Sequence, residues 1–171
     1  MNRVNNMSVT RRTALLGAAA SGLVLGTGRV VAQTNEALAV KPVLASAKTH
    51  EVKMLNRGEA GTMVYEPRFV SAEVGDTIVF VPEDKGHNAE SIKDMLPEDQ
   101  EDFAGKINEE IEVQLTSEGL IGVKCKPHFG MGMVMIIQVA GAPVPDDFLE
   151  GKMPGKAKKA FEEILAENKL S

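Results

Sequence analysis

The feature that most constrains the fold is a series of short apolar runs, separated by turn residues, between Lys48 and Val139. Apolar and polar residues alternate in most of these runs, as they do in strands that bury one face. The last run is continuously apolar, which is typical of a strand buried on both faces. The predicted strands are residues 49–55, 62–65, 69–74, 77–81, 111–115, 120–125 and 133–139. Short strands at this spacing predict an all-β sandwich or barrel.

Three segments between these strands are predicted to be loops. Asn56-Arg57-Gly58 is a turn signal directly after the first strand, and a longer loop carries Lys85-Gly86-His87-Asn88. The acidic stretch 97–102 is predicted to be a solvated turn or a short helix.

The C-terminal tail has a different period. Its apolar residues recur on one face at helical spacing: Ala157, Ala160, Phe161, Ile164 and Leu165. Pro154 precedes them, where a proline of the first turn is tolerated. A second short helix is predicted over 146–150, behind Pro145. The sequence thus predicts a helical tail over 145–170 with one or two helices.

The N-terminus has the layout of an export signal. Thr10-Arg11-Arg12 is followed by Leu15 and Leu16 and by an uncharged stretch, rich in Gly and Ala, that continues to Gly28. This stretch is too short and too rich in glycine for a stable membrane-spanning helix. The pattern resembles a twin-arginine signal.

Cleavage of this leader is possible after Ala32 or after Ala47, and the sequence leaves both open. The predicted organisation is a leader over 1–32, a linker or late part of the leader over 33–47, and one domain over 48–171. Loss of the leader removes four arginines and no acid, which changes the formal net charge from −5 to −9. The acidic balance argues against nucleic-acid binding, and we expect no membrane insertion after cleavage.

The chain has a single cysteine, so it cannot form an internal disulfide, and the thiol needs another explanation. Cys125 begins a Cys-x-x-His-x-x-x-x-Met pattern with His128 and Met133, and His87 lies in an earlier loop. One thiolate, two imidazoles and one thioether are the donor set of a blue-copper site, which alternates between Cu(II) and Cu(I). Alone, each residue has an ordinary explanation: a buried cysteine, a core methionine or a solvated histidine. Their common spacing favours copper, with one ion per chain.

Further motifs, all typical of one protein family, occur in five segments: 52–56, 69–77, 84–92, 106–109 and 125–133. In these segments, from about Glu51 to the C-terminus, the chain resembles the pseudoazurins, a family of small blue-copper proteins or cupredoxins. The resemblance implies an eight-stranded Greek-key β-sandwich with two C-terminal helices packed on it. It also implies that the copper ligands are His87, Cys125, His128 and Met133. Plastocyanins share the loop spacing but lack the helical tail.

The chain departs from the family pattern at one position. Pseudoazurins commonly carry a histidine in the first strand where this chain has Lys53, and His50 lies three residues earlier. That histidine is not a ligand in the family, so the prediction of the copper ligands is unaffected by Lys53. A second methionine, Met131, precedes Met133 by two residues. The resemblance favours Met133 as the axial ligand and places Met131 near the surface.

Two neighbours of the ligands are expected to tune the thiolate. The backbone N–H of Asn88, directly after His87, is placed to donate to the Cys125 sulfur. Pro127 has no N–H and leaves such a bond unmade, although it could equally serve only to stiffen the turn.

A docking surface is expected around the edge of the His128 ring, if His128 is the exposed ligand. The apolar part of this surface is predicted to include Met63, Pro82, Phe129 and Met131. By the resemblance, a basic ring surrounds it, formed by Arg57, Lys85, Lys124 and Lys126, with Lys53 as a further candidate. Such rings raise association rates more than affinity.

These features together predict a periplasmic one-electron carrier with no bound substrate. The resemblance implies transient partners, a nitrite reductase and a c-type cytochrome in denitrification, and a monomeric chain. Two alternatives remain open at this point. One is a copper chaperone or storage module without redox turnover, and the other is a cysteine hydrolase built on Cys125 and His128, for which no orienting acid is evident.

Overall fold

The computed structural model describes residues 46–170, so the predicted leader and most of the predicted linker lie outside the described residues. This part of the chain contains eight strands: β1 Thr49–Gly58, β2 Gly61–Glu66, β3 Phe69–Ala72, β4 Thr77–Val81, β5 Glu90–Ser91, β6 Ile111–Gln114, β7 Gly119–Lys124 and β8 Val134–Val139. It ends in one α-helix, α1 Gly155–Glu167. Short 3₁₀ turns occupy Lys93–Met95 and Lys126–Met131.

The strands form two four-stranded sheets, in the orders β2-β1-β4-β6 and β3-β8-β7-β5. Two of the pairings, β1 with β4 and β3 with β8, are parallel and join strands that are distant in sequence. The other pairings are antiparallel. The predicted eight-stranded Greek-key sandwich is thereby confirmed.

The main core fills the space between the two sheets. Alternate side chains of each strand point into it, because successive residues of a strand face opposite sides. One sheet contributes Val52, Met54, Ile78 and Phe80. The other contributes Ile121, Val123, Met135, Ile137 and Val139. Burying each such side chain stabilises the fold by about 1.5–3 kcal/mol. Aliphatic side chains and methionine can therefore stabilise this core although the chain has few aromatic residues.

Strand β8 is buried on both faces, which explains its continuous apolar run. Met135 and Ile137 face the main core, whereas Val134 and Ile136 face a second cluster on the outside of the sheet. Helix α1 closes this second cluster with Phe161. The helix predicted from the apolar period in the tail therefore covers one sheet.

Three features of the structure differ from the sequence-based prediction by more than small shifts of strand ends. Strand β1 continues through Asn56-Arg57-Gly58, and the chain reverses at the two residues after it. Strand β5 was not predicted, because two residues are too few to show a period. Residues 146–150 form turns, so the described tail has one helix rather than two.

The acidic stretch 97–102 is a turn, but it is not fully solvated. Gln100 is 5% exposed, and its side chain makes two hydrogen bonds to the backbone at the end of β6. Its amide donates to the Gln114 carbonyl at 3.1 Å and its oxygen accepts from the Thr116 N–H at 2.9 Å. These bonds hold the turn against the sheet.

A buried carboxylate ties the start of the domain to the sandwich. Asp76 accepts hydrogen bonds from the backbone N–H of Lys48 at 2.7 Å and of Glu73 at 3.1 Å, and its other contact is the His50 Nε2 at 2.8 Å. The bond from Lys48, followed by those from His50 and Glu73, lowers the pKa of Asp76 from 3.8 to about 2. The charged form of this carboxylate is therefore part of the folded state.

We predict that Asp76→Asn changes how stability depends on pH. A carboxylate whose pKa is lower in the folded state stabilises the protein above its unfolded pKa, and this contribution is lost as the pH falls through the folded value. The parent should lose stability between about pH 4 and pH 2, and the variant should lose less in that range. At pH 7 the variant should be less stable by about 1–3 kcal/mol, since charge-assisted hydrogen bonds are removed.

Thermal unfolding of the metal-free protein at several pH values measures this effect. Asp102→Asn is the matched control, because Asp102 is an exposed aspartate with the same charge. Equal loss of melting temperature in the parent and in Asp76→Asn between these pH values would contradict the prediction.

Candidate metal centre

The sheet that contains β7 and β8 brings the predicted ligands together at one end of the sandwich. Cys125 follows β7 directly, and Met133 directly precedes β8. These two strands are antiparallel, with Lys124 opposite Val134, so the residues beyond this pair lie close together. His128 lies in the 3₁₀ turn between them, and His87 lies three residues before β5, which pairs with β7.

Three potential donor atoms form a compact cluster. The Cys125 sulfur lies 3.7 Å from His87 Nδ1 and 3.5 Å from His128 Nδ1, and the two ring nitrogens are 3.1 Å apart. All three lie within 4.8 Å of one another. His87 and Cys125 are fully buried, and His128 is half-buried. A thiol and two imidazole nitrogens converging in this way fit a metal with affinity for soft ligands, such as copper.

Met133 is fully buried beside this cluster, and its backbone bonds two of the other candidate ligands. Its carbonyl accepts from the Cys125 N–H at 3.1 Å, and its N–H donates to the His128 carbonyl at 3.2 Å. Met131 is 52% exposed. Of the two methionines, only Met133 is buried with the other candidate ligands.

The His87 ring is oriented by Asn56, two residues before the end of β1. The Asn56 side-chain oxygen lies 3.1 Å from His87 Nε2, so Nε2 carries the proton and Nδ1 keeps its lone pair for a metal. Burial, and then the nearby His128, lower the pKa of His87, which favours the neutral ring that ligates. No local pattern indicates this role of Asn56, because it depends on β1 extending past the expected turn.

Asn88 connects the two loops that carry the candidate ligands. Its side-chain oxygen accepts from the Lys126 N–H at 2.8 Å, and its side-chain amide donates to the Gly105 carbonyl at 3.0 Å. Burial raises the pKa of the Cys125 thiol, and hydrogen bonding from the backbone N–H groups of Asn88 and His128 lowers it. The thiolate form is therefore supported by backbone donors and by any bound cation.

Helix α1 lies against the ligand loop at Gly132. This residue has a φ of +96°, in the left-handed region that favours glycine. A Cβ here would lie 3.2 Å from the Lys156 carbonyl in the first turn of α1. Glycine thus permits both the turn before Met133 and the close contact with the helix.

The basic residues predicted for docking differ in their exposure and in whether an acidic residue pairs with them. Arg57, Lys85 and Lys126 are exposed. Lys124 is only partly exposed, because it pairs with Glu90 at 3.1 Å and lies 5.6 Å from the centre of the Phe129 ring. The further candidate, Lys53, pairs with Glu83 at 3.5 Å.

Next to Lys126 lies an apolar groove of about 520 Å³ that was not predicted. Pro127 and Ile107 line it, and Ile107 is 56% exposed. Of the other residues predicted for docking, Met63 is half-buried and packs on the core, and Met131 is exposed.

Comparison with known proteins identifies the family. Residues 52–140 match the family model for copper-binding proteins of the plastocyanin/azurin family. A pseudoazurin of Paracoccus pantotrophus is 56% identical over 122 residues, which cover 71% of this chain and 84% of that protein. The chain belongs to the pseudoazurins. A pseudoazurin of Methylorubrum extorquens is 41% identical over 111 residues, which cover 64% of this chain and 75% of that protein.

The fold agrees with this family. The solved structure of a Sinorhizobium pseudoazurin superposes with a TM-score of 0.66 at 42% identity, covering 71% of this chain and 96% of that one. Pseudoazurins are blue-copper electron carriers and not enzymes, so copper is the cofactor and redox proteins are the partners of this chain. Full burial of Cys125 agrees, because a hydrolase needs its thiol within reach of a substrate. Within residues 46–170, no helix has the length and apolar character needed to cross a membrane.

We predict that Cys125→Ser abolishes the intense visible absorption of the copper-loaded protein. That absorption arises from charge transfer between a thiolate and Cu(II), and serine supplies no thiolate. The β fold should persist, since the substitution is nearly isosteric and the sandwich core surrounds the site. Visible absorption and far-ultraviolet circular dichroism measure the two effects.

Met131→Leu is the control for a change in the same loop, because Met131 is exposed and lies outside the donor cluster. This variant should keep the absorption of the parent. A Cys125→Ser protein that remains blue would exclude Cys125 as the ligand.

Proposed function

We propose that this chain is a periplasmic one-electron carrier in which His87, Cys125, His128 and Met133 hold a single copper ion. The observation that carries the proposal is the convergence of a thiol and two Nδ1 atoms within 4.8 Å, beside the buried Met133, whose backbone bonds Cys125 and His128. A copper ion bound there supplies one-electron chemistry by alternating between Cu(II) and Cu(I).

The residues around the ligands hold them in one arrangement. Asn56 orients the His87 ring, and Asn88 joins the two loops that carry the candidate ligands. The backbone of Met133 bonds those of Cys125 and His128. Ligands that are held by hydrogen bonds and by the sheet move little when the charge of the site changes. Little movement means a low barrier to electron transfer, which is the property a carrier needs.

His128 is the proposed route for the electron, because it is partly exposed whereas the other three proposed ligands are fully buried. Exposed Met131 and half-buried Phe129 lie in the same 3₁₀ turn and supply apolar contact area. A partner that covers this turn brings its own redox centre close to His128. The groove beside Pro127 extends the apolar area on the side of Lys126.

The exposed cations Arg57, Lys85 and Lys126 favour partners with an acidic docking surface, although the chain itself is acidic. The proposed partners are a nitrite reductase as acceptor and a c-type cytochrome as donor, in denitrification. Support for them comes from the family resemblance and from the charge of this face. The export-signal pattern of residues 1–32 supports a periplasmic location.

The proposed function is tested by loading the mature protein with Cu(II) and recording its absorption and electron paramagnetic resonance spectra. A carrier should bind one copper per chain, show an intense blue or green band, and be reduced and reoxidised repeatedly by a c-type cytochrome and a nitrite reductase. A chaperone or storage module would bind copper without the band or without turnover. Either of those results would overturn the proposal.

We predict that the double substitution Lys85→Glu with Lys126→Glu slows electron transfer to an acidic partner. Replacing two cations by two anions removes the attraction that speeds encounter, so the rate at low salt should fall by about tenfold or more. The difference should shrink at high salt, because screening weakens interactions between exposed charges. Stopped-flow kinetics at several salt concentrations measure both effects.

Lys152→Glu with Lys158→Glu is the matched control. Both lysines are exposed in the C-terminal tail, and the double variant has the same net charge as the docking variant. Equal rates for the docking variant and this control would contradict a role for Lys85 and Lys126 in docking.

We predict that Pro127→Ala raises the reduction potential of the copper site. The substitution adds an N–H near the Cys125 thiolate, or admits water to it, and a donor to the sulfur stabilises the reduced state. Voltammetry of the copper-loaded variant measures the midpoint. Pro143→Ala, an exposed proline in the loop after β8, is the control. If Pro127 only stiffens the turn, both variants will keep the midpoint of the parent.

A further inference from the structure

Tyr65, in strand β2, is the only tyrosine of the chain, and it lies beneath the candidate metal centre. It is 1% exposed and belongs to the same core cluster as Cys125 and Met133. Its hydroxyl donates to the backbone carbonyl of Asn88 at 2.7 Å. Neither the proposed copper ligands nor the docking surface accounts for a buried hydroxyl at this point.

The ring and the hydroxyl of Tyr65 are both held in place. The ring packs edge-on against Phe80, with 6.0 Å between centroids, and Phe80 in turn packs on Phe103. Burial, then the negative charges of Cys125 and Glu90, raise the pKa of Tyr65 well above its ordinary value. The phenol therefore stays protonated and remains a hydrogen-bond donor.

Asn88 is held at each of its polar groups. Its side chain bonds Gly105 and Lys126, and its carbonyl accepts from Tyr65. Hydrogen bonding from its own N–H lowers the pKa of the Cys125 thiol. The side-chain bonds hold Asn88 to the two neighbouring loops. The bond from Tyr65 holds the backbone of Asn88 from the core side. That backbone carries the N–H that reaches the sulfur.

We propose that Tyr65 is a positioning residue for electron transfer, whose hydroxyl holds the Asn88 N–H against the Cys125 sulfur and thereby raises the reduction potential. The inference rests on the proposed role of Cys125 as a copper ligand. An N–H that donates to a thiolate draws electron density from the sulfur, which favours the reduced state. A looser N–H donates less well, so the oxidised state gains.

Tyr65→Phe removes the hydroxyl and keeps the ring. The Asn88 carbonyl then lacks its donor inside the protein, and the Asn88 backbone is freer to move. We expect a lower midpoint potential and an altered ratio of the visible charge-transfer bands. If Tyr65 only fills the core, the variant will melt earlier but keep the midpoint and the band ratio of the parent.

Because the chain has one tyrosine, growth on fluorotyrosine modifies Tyr65 alone. A fluorinated phenol is a stronger donor, and this variant keeps every hydrogen-bonding atom. It should fold even if Tyr65→Phe does not. The expected order of midpoints is Tyr65→Phe lowest, parent intermediate and fluorotyrosine highest.

Ile78→Val is the matched control for loss of stability. Ile78 is a fully buried core residue near the start of β4, where it pairs with His50 of β1. It makes no hydrogen bond to Asn88. It should lower the melting temperature without moving the midpoint. A midpoint unchanged by Tyr65→Phe, or a shift equal to that of Ile78→Val, would overturn the proposal.

Amide exchange of Asn88 in the metal-free protein gives a second readout that does not depend on copper. Loss of the Tyr65 bond should speed exchange at Asn88 by about tenfold in Tyr65→Phe relative to the parent, and Ile78→Val should not reproduce this change. Unchanged exchange in Tyr65→Phe would overturn the positioning role. Absence of a blue-copper spectrum in the parent would instead refute the proposed function, so the two failures are distinguishable.

Discussion

The antiparallel pairing of β7 with β8 is the constraint on which the rest of the site depends. It places Cys125 at the end of one strand next to Met133 at the start of the other, and a backbone hydrogen bond of 3.1 Å joins the two residues. The chain between them is short enough to close as one short 3₁₀ helix, which carries His128. Since β8 is buried on both faces, this pair of strands cannot shift without disturbing both cores. The positions of three of the four candidate ligands therefore follow from the sheet itself.

Local patterns predicted much of this fold, and they failed where the decisive contact is distant in sequence. Alternation identified most strands, and helical period identified α1, because both patterns extend over several residues. Strand β5 has two residues and exists through its pairing with β7. The candidate ligands of the Cys125 loop were predictable from their spacing. By contrast, the contact of Asn56 with His87 spans 31 residues, and that of Tyr65 with Asn88 spans 23, so neither leaves a local signal.

The charge that this protein presents to a partner depends on local ion pairs as well as on the number of charged residues. The chain is acidic as a whole, yet exposed cations lie within two residues in sequence of Asn56, His87 and Cys125, namely Arg57, Lys85 and Lys126. Two of the lysines expected there, Lys53 and Lys124, have acidic partners at 3.5 Å and 3.1 Å. Of the expected docking cations, all of which lie within residues 46–170, fewer are therefore without an acidic partner than the sequence suggests. A partner is thus guided by a small number of charges around an apolar centre, which suits a brief encounter better than a lasting complex.

Helix α1 has a consequence beyond covering one sheet. Its first turn contacts the ligand loop at Gly132, one residue before Met133, while its apolar face packs on the outer side of β8. The helix thus supports the loop, and none of the candidate ligands lies in it. Substitutions along the helix could adjust the rigidity of the centre while every ligand stays the same. Evolution can therefore change the properties of the metal centre through substitutions in α1, without replacing a ligand.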